Sequence, residues 1–315
     1  MPIYMDLHIL PGVKSRDVAE AHLKDMHIQD DHSCSCMTYW IDEKRGNVFC
    51  LIEAPDKEAV IKLHHNAHGL IPNKIIEVND VLVESFLGRI TDPYDKVIDK
   101  DGLAVFHDPS FRILVILKTI DTIILQNDLG LDTAYALIRK LNSTIINVIK
   151  NNSGSEAENS GDEIIISFTS ASKAVSFTKE LLDKISTDEW NKLGLKATLT
   201  AGEPVTKNDR LFGDAILLGQ RIYAVDDNKK IIISQAVKEL LPLRHFENNS
   251  NIKVLSQNEE VFLTALFETM ESNWQDDHFN GKDFCRKMAM SQSQLYRITT
   301  ALTGHSPNTL LSDAV

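Results

Sequence analysis

Cysteine is scarce in this chain, with four among 315 residues. Two of the four stand in Cys34-Ser35-Cys36, too close for an easy bridge, so no disulfide framework is expected and reduced thiols suit an oxidant-poor compartment. Long apolar runs are missing: no uninterrupted stretch approaches the roughly 18 residues of a membrane span. No charged start leads into an apolar signal core, and the expected address is cytoplasmic, without membrane partners. Basic charge is also short, 33 Lys and Arg against 45 Asp and Glu, and the net charge of −12 opposes nonspecific adhesion to nucleic acid or anionic lipid. What remains is a globular composition, 43% hydrophobic and 25% charged, on a chain long enough for about two or three domains. The fold class expected is α+β, with a ferredoxin-like βαββαβ domain over 1–80, a linker over 81–110, a second α/β sandwich over 111–245 and an all-α helix-turn-helix over 258–315.

Imidazole is concentrated at the start, where seven of the eleven histidines and three of the four cysteines fall within the first 68 residues. Such a local excess invites a metal reading, because these side chains ligate nickel, zinc and copper. Alternation predicts strands over Ile3–Ile9, Cys36–Ile41, Val48–Glu53 and Lys74–Val78; helical spacing predicts Asp17–Met26 and a second helix burying Ala59, Val60 and Leu63. That order is a split βαβ unit. With Met5, Leu7, Ile9, Phe49 and Leu51 taken to face the helices, Asp6, His8, Cys36 and Cys50 converge on the opposite, open face, the one such sheets use for dimerisation. His64 and His68, one turn apart, form a separate pair. Met5-Asp6-Leu7-His8-Ile9-Leu10-Pro11-Gly12-Val13, Thr38-Tyr39-Trp40, Val48 to Asp56 and His64-His65-Asn66-Ala67-His68-Gly69-Leu70 resemble a small bacterial family of ferredoxin-like nickel-binding proteins. The resemblance implies a homodimer with metal, nickel before zinc, held by His8, Cys36, Cys50, His64 and His68.

Beyond a polar stretch from Thr91 to Asp101, which holds Asp92, Asp95, Asp99 and Asp101, a second α+β sandwich is expected. Its strands are Arg112–Ile120, Gly161–Phe168 and Lys196–Ala201, its helices Ala134–Ile149, Ser170–Ile185 and Asp214–Val225, with a loop over Asn151–Ser160. Gly161-Asp162, Ala201-Gly202-Glu203-Pro204, Leu211-Phe212-Gly213-Asp214 and Gln220-Arg221-Ile222 resemble the homology domain of class III nucleotidyl cyclases. That chemistry needs two carboxylates for two metal ions and polar groups around the pentavalent phosphorus. On the resemblance, Asp162 and Arg221 occupy catalytic positions, but Thr119 stands at the second carboxylate and Leu217 at the transition-state Asn. A cyclase-shaped, catalytically silent domain is expected, able to pair with a second copy and to take a small-molecule or nucleotide effector.

At the C-terminus, Phe284 and Met288 are four apart, Leu295, Ile298 and Leu302 recur at helical spacing, and Ser291 is placed to cap the second of two short helices. Gln292, Ser293, Gln294, Tyr296 and Arg297 are then free to reach bases and phosphates. Ser293-Gln294-Leu295-Tyr296-Arg297 and Leu302-Thr303-Gly304-His305-Ser306-Pro307 resemble the first half of an AraC-type DNA-binding domain, with the chain ending at Val315 where a joining helix would begin. Residues 258–315 carry eight Asp or Glu against four Lys or Arg, so binding to DNA by this chain alone is expected to be weak. The functional expectation is a metal- or ligand-responsive transcription regulator with a dimerising, degenerate cyclase-like middle. The alternatives are a divergent nucleotidyl cyclase that completes its metal site with Asp121 or Glu163, and a metal-binding scaffold that does not touch DNA.

Overall fold

In the computed structural model, residues 1–94, 96–100, 103–226, 231–242, 251–273, 275–276 and 279–313 are described. Asp95 and Asp101 of the acidic stretch lie outside them. Strand β1 (Ile3–Ile9) leads to helix α1 (Ser15–Ile28), then to strands β2 (Ser35–Asp42) and β3 (Asn47–Glu53), helix α2 (Lys57–His68) and strand β4 (Lys74–Val78). The sheet order β2-β3-β1-β4 is antiparallel throughout, the ferredoxin-like arrangement. Asp56 caps α2 by accepting from the Ala59 N–H at 2.8 Å, and Gly69, at φ 78°, ends it in the left-handed conformation that L side chains resist.

The sheet reverses the expected parity. Tyr4, Val48, Cys50 and Ile52 pack with Val18, Ala19, Val60 and Leu63 of the helices, so Asp6 and His8 also point toward α1 and α2. Met5, Phe49, Leu51, Trp40 and Ile76 line the other face. Both faces are buried, so both sets of alternating residues are largely apolar, and alternation alone does not say which set meets the helices.

The stretch expected as a linker is structured. Helix α3 (Asp80–Leu87) is capped by Asn79 and buries Val83, Phe86 and Leu87 at helical spacing. A two-stranded ribbon, β5 (Val97–Ile98) with β6 (Ala104–Val105), follows, and Phe106 stacks on Tyr39 at 4.1 Å between ring centroids. Arg89 anchors this connector to β2, donating to Asp108 Oδ2 at 2.8 Å and to the Tyr39 carbonyl at 2.6 Å, with its guanidinium 4.5 Å from the Trp40 ring centroid.

The middle unit runs β7 (Arg112–Lys118), α4 (Thr122–Leu129), α5 (Leu131–Asn152), β8 (Ser155–Asn159), β9 (Glu163–Phe168), α6 (Ala171–Lys184), α7 (Thr187–Lys192), β10 (Lys196–Gly202), α8 (Gly213–Ile222), β11 (Ile231–Ile233), α9 (Gln235–Glu239) and β12 (Ile252–Val254). Its sheet order, β12-β11-β10-β7-β9-β8, contains the ferredoxin-like order again within β10-β7-β9-β8. Strand β8 occupies part of the expected loop; it is an edge strand whose Ser, Glu and Asn side chains give no apolar alternation, only Ala157 being buried.

The bare face of the first sheet rests on this unit. Met5, Phe49 and Leu51 share one apolar cluster with Phe86, Leu114, Ile116, Ile165, Phe212 and Ile216, and the Phe86 and Phe212 rings stack at 5.0 Å. Polar contacts rim the junction: Asn47 Nδ2 donates to both Glu203 oxygens at 2.8 Å, and Lys74 Nζ lies 2.9 Å from Asp209. Both faces of the first sheet are therefore covered from within the chain, the one expected to be open for dimerisation by α1 and α2 and the other by the middle unit.

Helices α10 (Gln257–Glu271), α11 (Gly281–Lys287), α12 (Gln292–Thr303) and α13 (Pro307–Asp313) complete the chain. Phe262, Leu266, Phe284, Leu295 and Leu302 pack together and against Ile222 and Val225 at the end of α8. Gly304, at φ 70°, closes α12; a Cβ there would sit 2.5 Å from Asp226 Oδ2. Among the described residues no helix is long and apolar enough to cross a membrane.

Candidate metal centre

Four side chains from three elements meet under the helices of the first unit. Asp6 and His8 come from β1, Cys50 from β3, which pairs with β1 residue for residue, and His64 from the inner stripe of α2. One ligand atom from each lies within 4.8 Å of the others, and all four are buried. His64 Nε2 is 2.9 Å from Asp6 Oδ2, and His8 Nε2 is 3.3 Å from Asp6 Oδ1. The His8 and His64 rings meet edge to face at 4.8 Å. A second group, Asp25, His64 and His68, shares the same histidine through its other nitrogen: His64 Nδ1 and His68 Nε2 each stand 3.2 Å from Asp25 Oδ1 and from one another.

Electrostatics make this a demanding place for buried ionisable groups. Burial alone would lower the His64 pKa, but the carboxylates of Asp6 and Asp25 outweigh it and push it up to about 10. Burial would raise Asp6, yet His64 and His8 hold it well below the usual carboxylate range, and Asp25 is lowered by its bonds to His64 and His68 against the same burial. The Cys50 thiol is driven well above its ordinary value by burial and by Asp6, so a thiolate there needs a cation beside it. Two imidazoles, a carboxylate and a thiol at this spacing fit a late first-row divalent ion, with sulfur and nitrogen supplying the softer donors. A cavity of about 60 Å³ opens beside the cluster, walled by Leu10, Val13, Val18, Ala21, Val48 and Leu70.

Of the five residues expected to hold metal, His8, Cys50 and His64 come together, and His68 joins through Asp25. The expected separation between the strand cluster and the His64–His68 pair disappears, because strand parity carries Asp6, His8 and Cys50 under α2. Cys36 stays outside both groups: it pairs with Ile52, beyond a bulge, and its backbone N–H donates to Gln29 Oε1 at 2.7 Å. Asp25 was not legible as a site residue, although the signal existed. Ser15, Val18, His22 and Asp25 form the buried stripe of α1, where a histidine and a carboxylate stand at positions that packing would give to apolar residues.

The cyclase-type positions do not assemble. Thr119 bonds the Asp162 carbonyl through its backbone at 2.8 Å; Asp121 caps α4, accepting from the Ile123 N–H at 2.7 Å; Glu163 accepts from Gln220 at 2.8 Å. Among the described residues no group of three metal-ligating side chains forms there. Leu217 and Arg221 line a cavity of about 590 Å³ between α8 and α10, where Arg221 pairs with Glu268 at 3.4 Å and Glu271 at 3.2 Å. On α12, Gln292, Ser293, Gln294, Tyr296 and Arg297 are all exposed, and the Ser291 side chain caps the helix by accepting from the Gln294 N–H.

The family model of nickel responsive proteins like SCO4226 matches residues 4–78, the segment that carries every member of the cluster. The solved structure of SCO4226 from Streptomyces coelicolor A3(2) is 32% identical, over 24% of this chain and 94% of that one, with a TM-score of 0.23. Through this segment the chain belongs to the SCO4226-like family. The SCO4226-like unit occupies less than a third of the chain, and no curated protein matches the chain. Two structures of a bacterial light-regulated adenylyl cyclase align at 12% and 13% identity, over 77% and 76% of this chain and 88% and 87% of theirs. Their TM-scores of 0.33 and 0.37 are too low to bear on fold or activity.

Proposed function

We propose that this chain is a metal-responsive regulator, in which the SCO4226-like unit captures a divalent ion, nickel before zinc, and the C-terminal helices read DNA. The observation that carries the reading is the buried Asp6, His8, Cys50 and His64 cluster in a segment of a nickel responsive family. The ion would be held by His64 Nε2, His8 Nε2, the Cys50 thiolate and an Asp6 oxygen, and it would supply the positive charge that two buried acidic groups and a thiolate lack once His64 gives up a proton. The middle unit, resembling a cyclase but without its assembled carboxylates, serves as the coupling body, since its α8 touches the first unit through Ile216 and the C-terminal helices through Ile222. A homodimer is part of this proposal, its contact lying away from both faces of the first sheet. The exposed side chains of α12 make it the reading helix; the acidic surroundings imply that affinity depends on pairing two copies.

The test is metal content by mass spectrometry on untagged protein exposed to equal nickel, zinc, cobalt and copper, beside His64→Ala and His8→Ala, followed by footprinting on genomic DNA with and without the bound ion. A stoichiometric ion lost in both variants, and a footprint that depends on it and weakens in Arg297→Ala, are the expected results. An ion-independent footprint removes the response, and no footprint removes the DNA-reading part. Absence of any ion removes the metal part.

A further inference from the structure

The cluster uses both nitrogens of one imidazole, and the two face different carboxylates. His64 Nε2 points at Asp6, while Nδ1 points at Asp25 on α1 at 3.2 Å, with side-chain exposures of 1% for the histidine and 3% for the carboxylate. Three atoms, His64 Nδ1, His68 Nε2 and Asp25 Oδ1, stand 3.2 Å apart in a triangle, a spacing that by itself suits an ion as well as hydrogen bonds. The backbone decides between them. The Leu70 N–H donates to His68 Nδ1 at 3.2 Å, so that nitrogen carries a lone pair and the proton of a neutral His68 sits on Nε2, aimed at Asp25. A protonated nitrogen does not ligate. Asp25 is thus an acceptor with two N–H groups directed at it, and the ion's place is on the Nε2 side of His64.

Resting on the metal reading above, we infer that Asp25 is the positioning residue of the centre: it fixes His64 in the tautomer that turns Nε2 toward the ion, and His68 holds Asp25 in place. A carboxylate on the far N–H of a ligating imidazole sets the ring plane and raises the basicity of the ligating nitrogen. It also ties α1 to α2 at the ligand itself. Of the two carboxylates that flank His64, Asp6 shares the ion and Asp25 does not.

Nickel titration of the full chain at pH 7.5 tests this, comparing the parent with Asp25→Asn and His68→Ala and reading three quantities: ions per chain, affinity by competition with a chelator, and the thiolate-to-nickel charge-transfer absorption, with Cys50→Ser as the control that loses the band. Asp25→Asn is expected to bind the same number of ions with the same band and an affinity lower by about 10- to 100-fold. His68→Ala is expected to keep the ion count and band with a smaller fall in affinity. Asp25→Asn with parental affinity overturns the assignment while leaving the metal reading intact. Two ions in the parent and one in Asp25→Asn or His68→Ala also overturns it, making Asp25 a ligand of a second ion. Should Asp25→Asn fail to fold, judged by its metal-free melting curve, His68→Ala decides: a fall as large as that of His64→Ala makes His68 a ligand and removes the inference. A parent that binds no nickel removes both readings.

Discussion

The first and middle units share one strand order and differ in what their central strands carry beneath the helices. In the middle unit, the helix-facing side of β7 is Ile113, Val115 and Leu117, buried in an apolar cluster. In the first, the corresponding side of β1 is Tyr4, Asp6 and His8. A sheet that buries three aliphatic groups at that place gains stability from the hydrophobic effect; one that buries a carboxylate and an imidazole must satisfy them by pairing or by an ion. The other faces of the same strands, Met5 in one and Leu114 with Ile116 in the other, belong to one common core. The first unit thus carries buried polar groups where the middle unit carries aliphatic core, and has its apolar burial against its neighbour on the opposite face.

Phe86→Ala attacks that shared face. It removes the stack on Phe212 and is expected to destabilise the protein by about 3–5 kcal/mol, with hydrogen exchange rising in β1 and β3 and in β7 and β9 together. Exchange confined to one pair of strands would show the two units to be energetically separate. The chemical contrast is broken by His64→Ala, which is expected to weaken metal binding by more than about 100-fold, a larger loss than outer-shell changes produce. Asp162→Ala in the middle unit leaves metal content unchanged in the same assay.

Acidity sharpens the comparison, because the buried carboxylates and imidazole of the first unit are shifted against one another. The His64 pKa stands above its free value of 6.5, at about 10, so its contribution to the stability of the metal-free fold is complete below pH 6.5 and fades as pH rises through about 10. Asp6 and Asp25 stand below 3.8, so theirs is present above that pH and lost as pH falls through their lowered values. Denaturant midpoints of the metal-free protein should therefore decline from pH 6 toward pH 9.5. Metal affinity should do the reverse, rising by up to about 100-fold per pH unit while the Cys50 and His64 protons are both displaced. A rise of only about tenfold per pH unit would exclude one of them as a ligand, and affinity flat over pH 6 to 9 would exclude both. The smallest expected effect is Asp121→Ala, a lost cap on α4 worth about 1 kcal/mol in thermal melting; a loss of metal instead would revive the cyclase-type site.

The two α+β units, the strands of the first, the main helices of the second and the Ser291 cap were legible because each rests on local periodicity or a local hydrogen bond. His8, Cys50 and His64 were legible as residue types. The connector was misread because its acidic surface hides the Val83, Phe86 and Leu87 stripe, and β8 because an edge strand needs no apolar alternation. What the sequence by itself determined is the order of elements and the stock of ligating side chains, since both follow from nearest-neighbour chemistry. Which face those side chains take, that Cys36 is left aside while Asp25 is drawn in, and that β1 carries a cluster of ligating side chains on one side and an interdomain core on the other were decided only by tertiary structure. A strand with two buried faces has no polar side to betray its orientation; only the packing of α1 and α2 on one face and of α3 and α8 on the other assigns it.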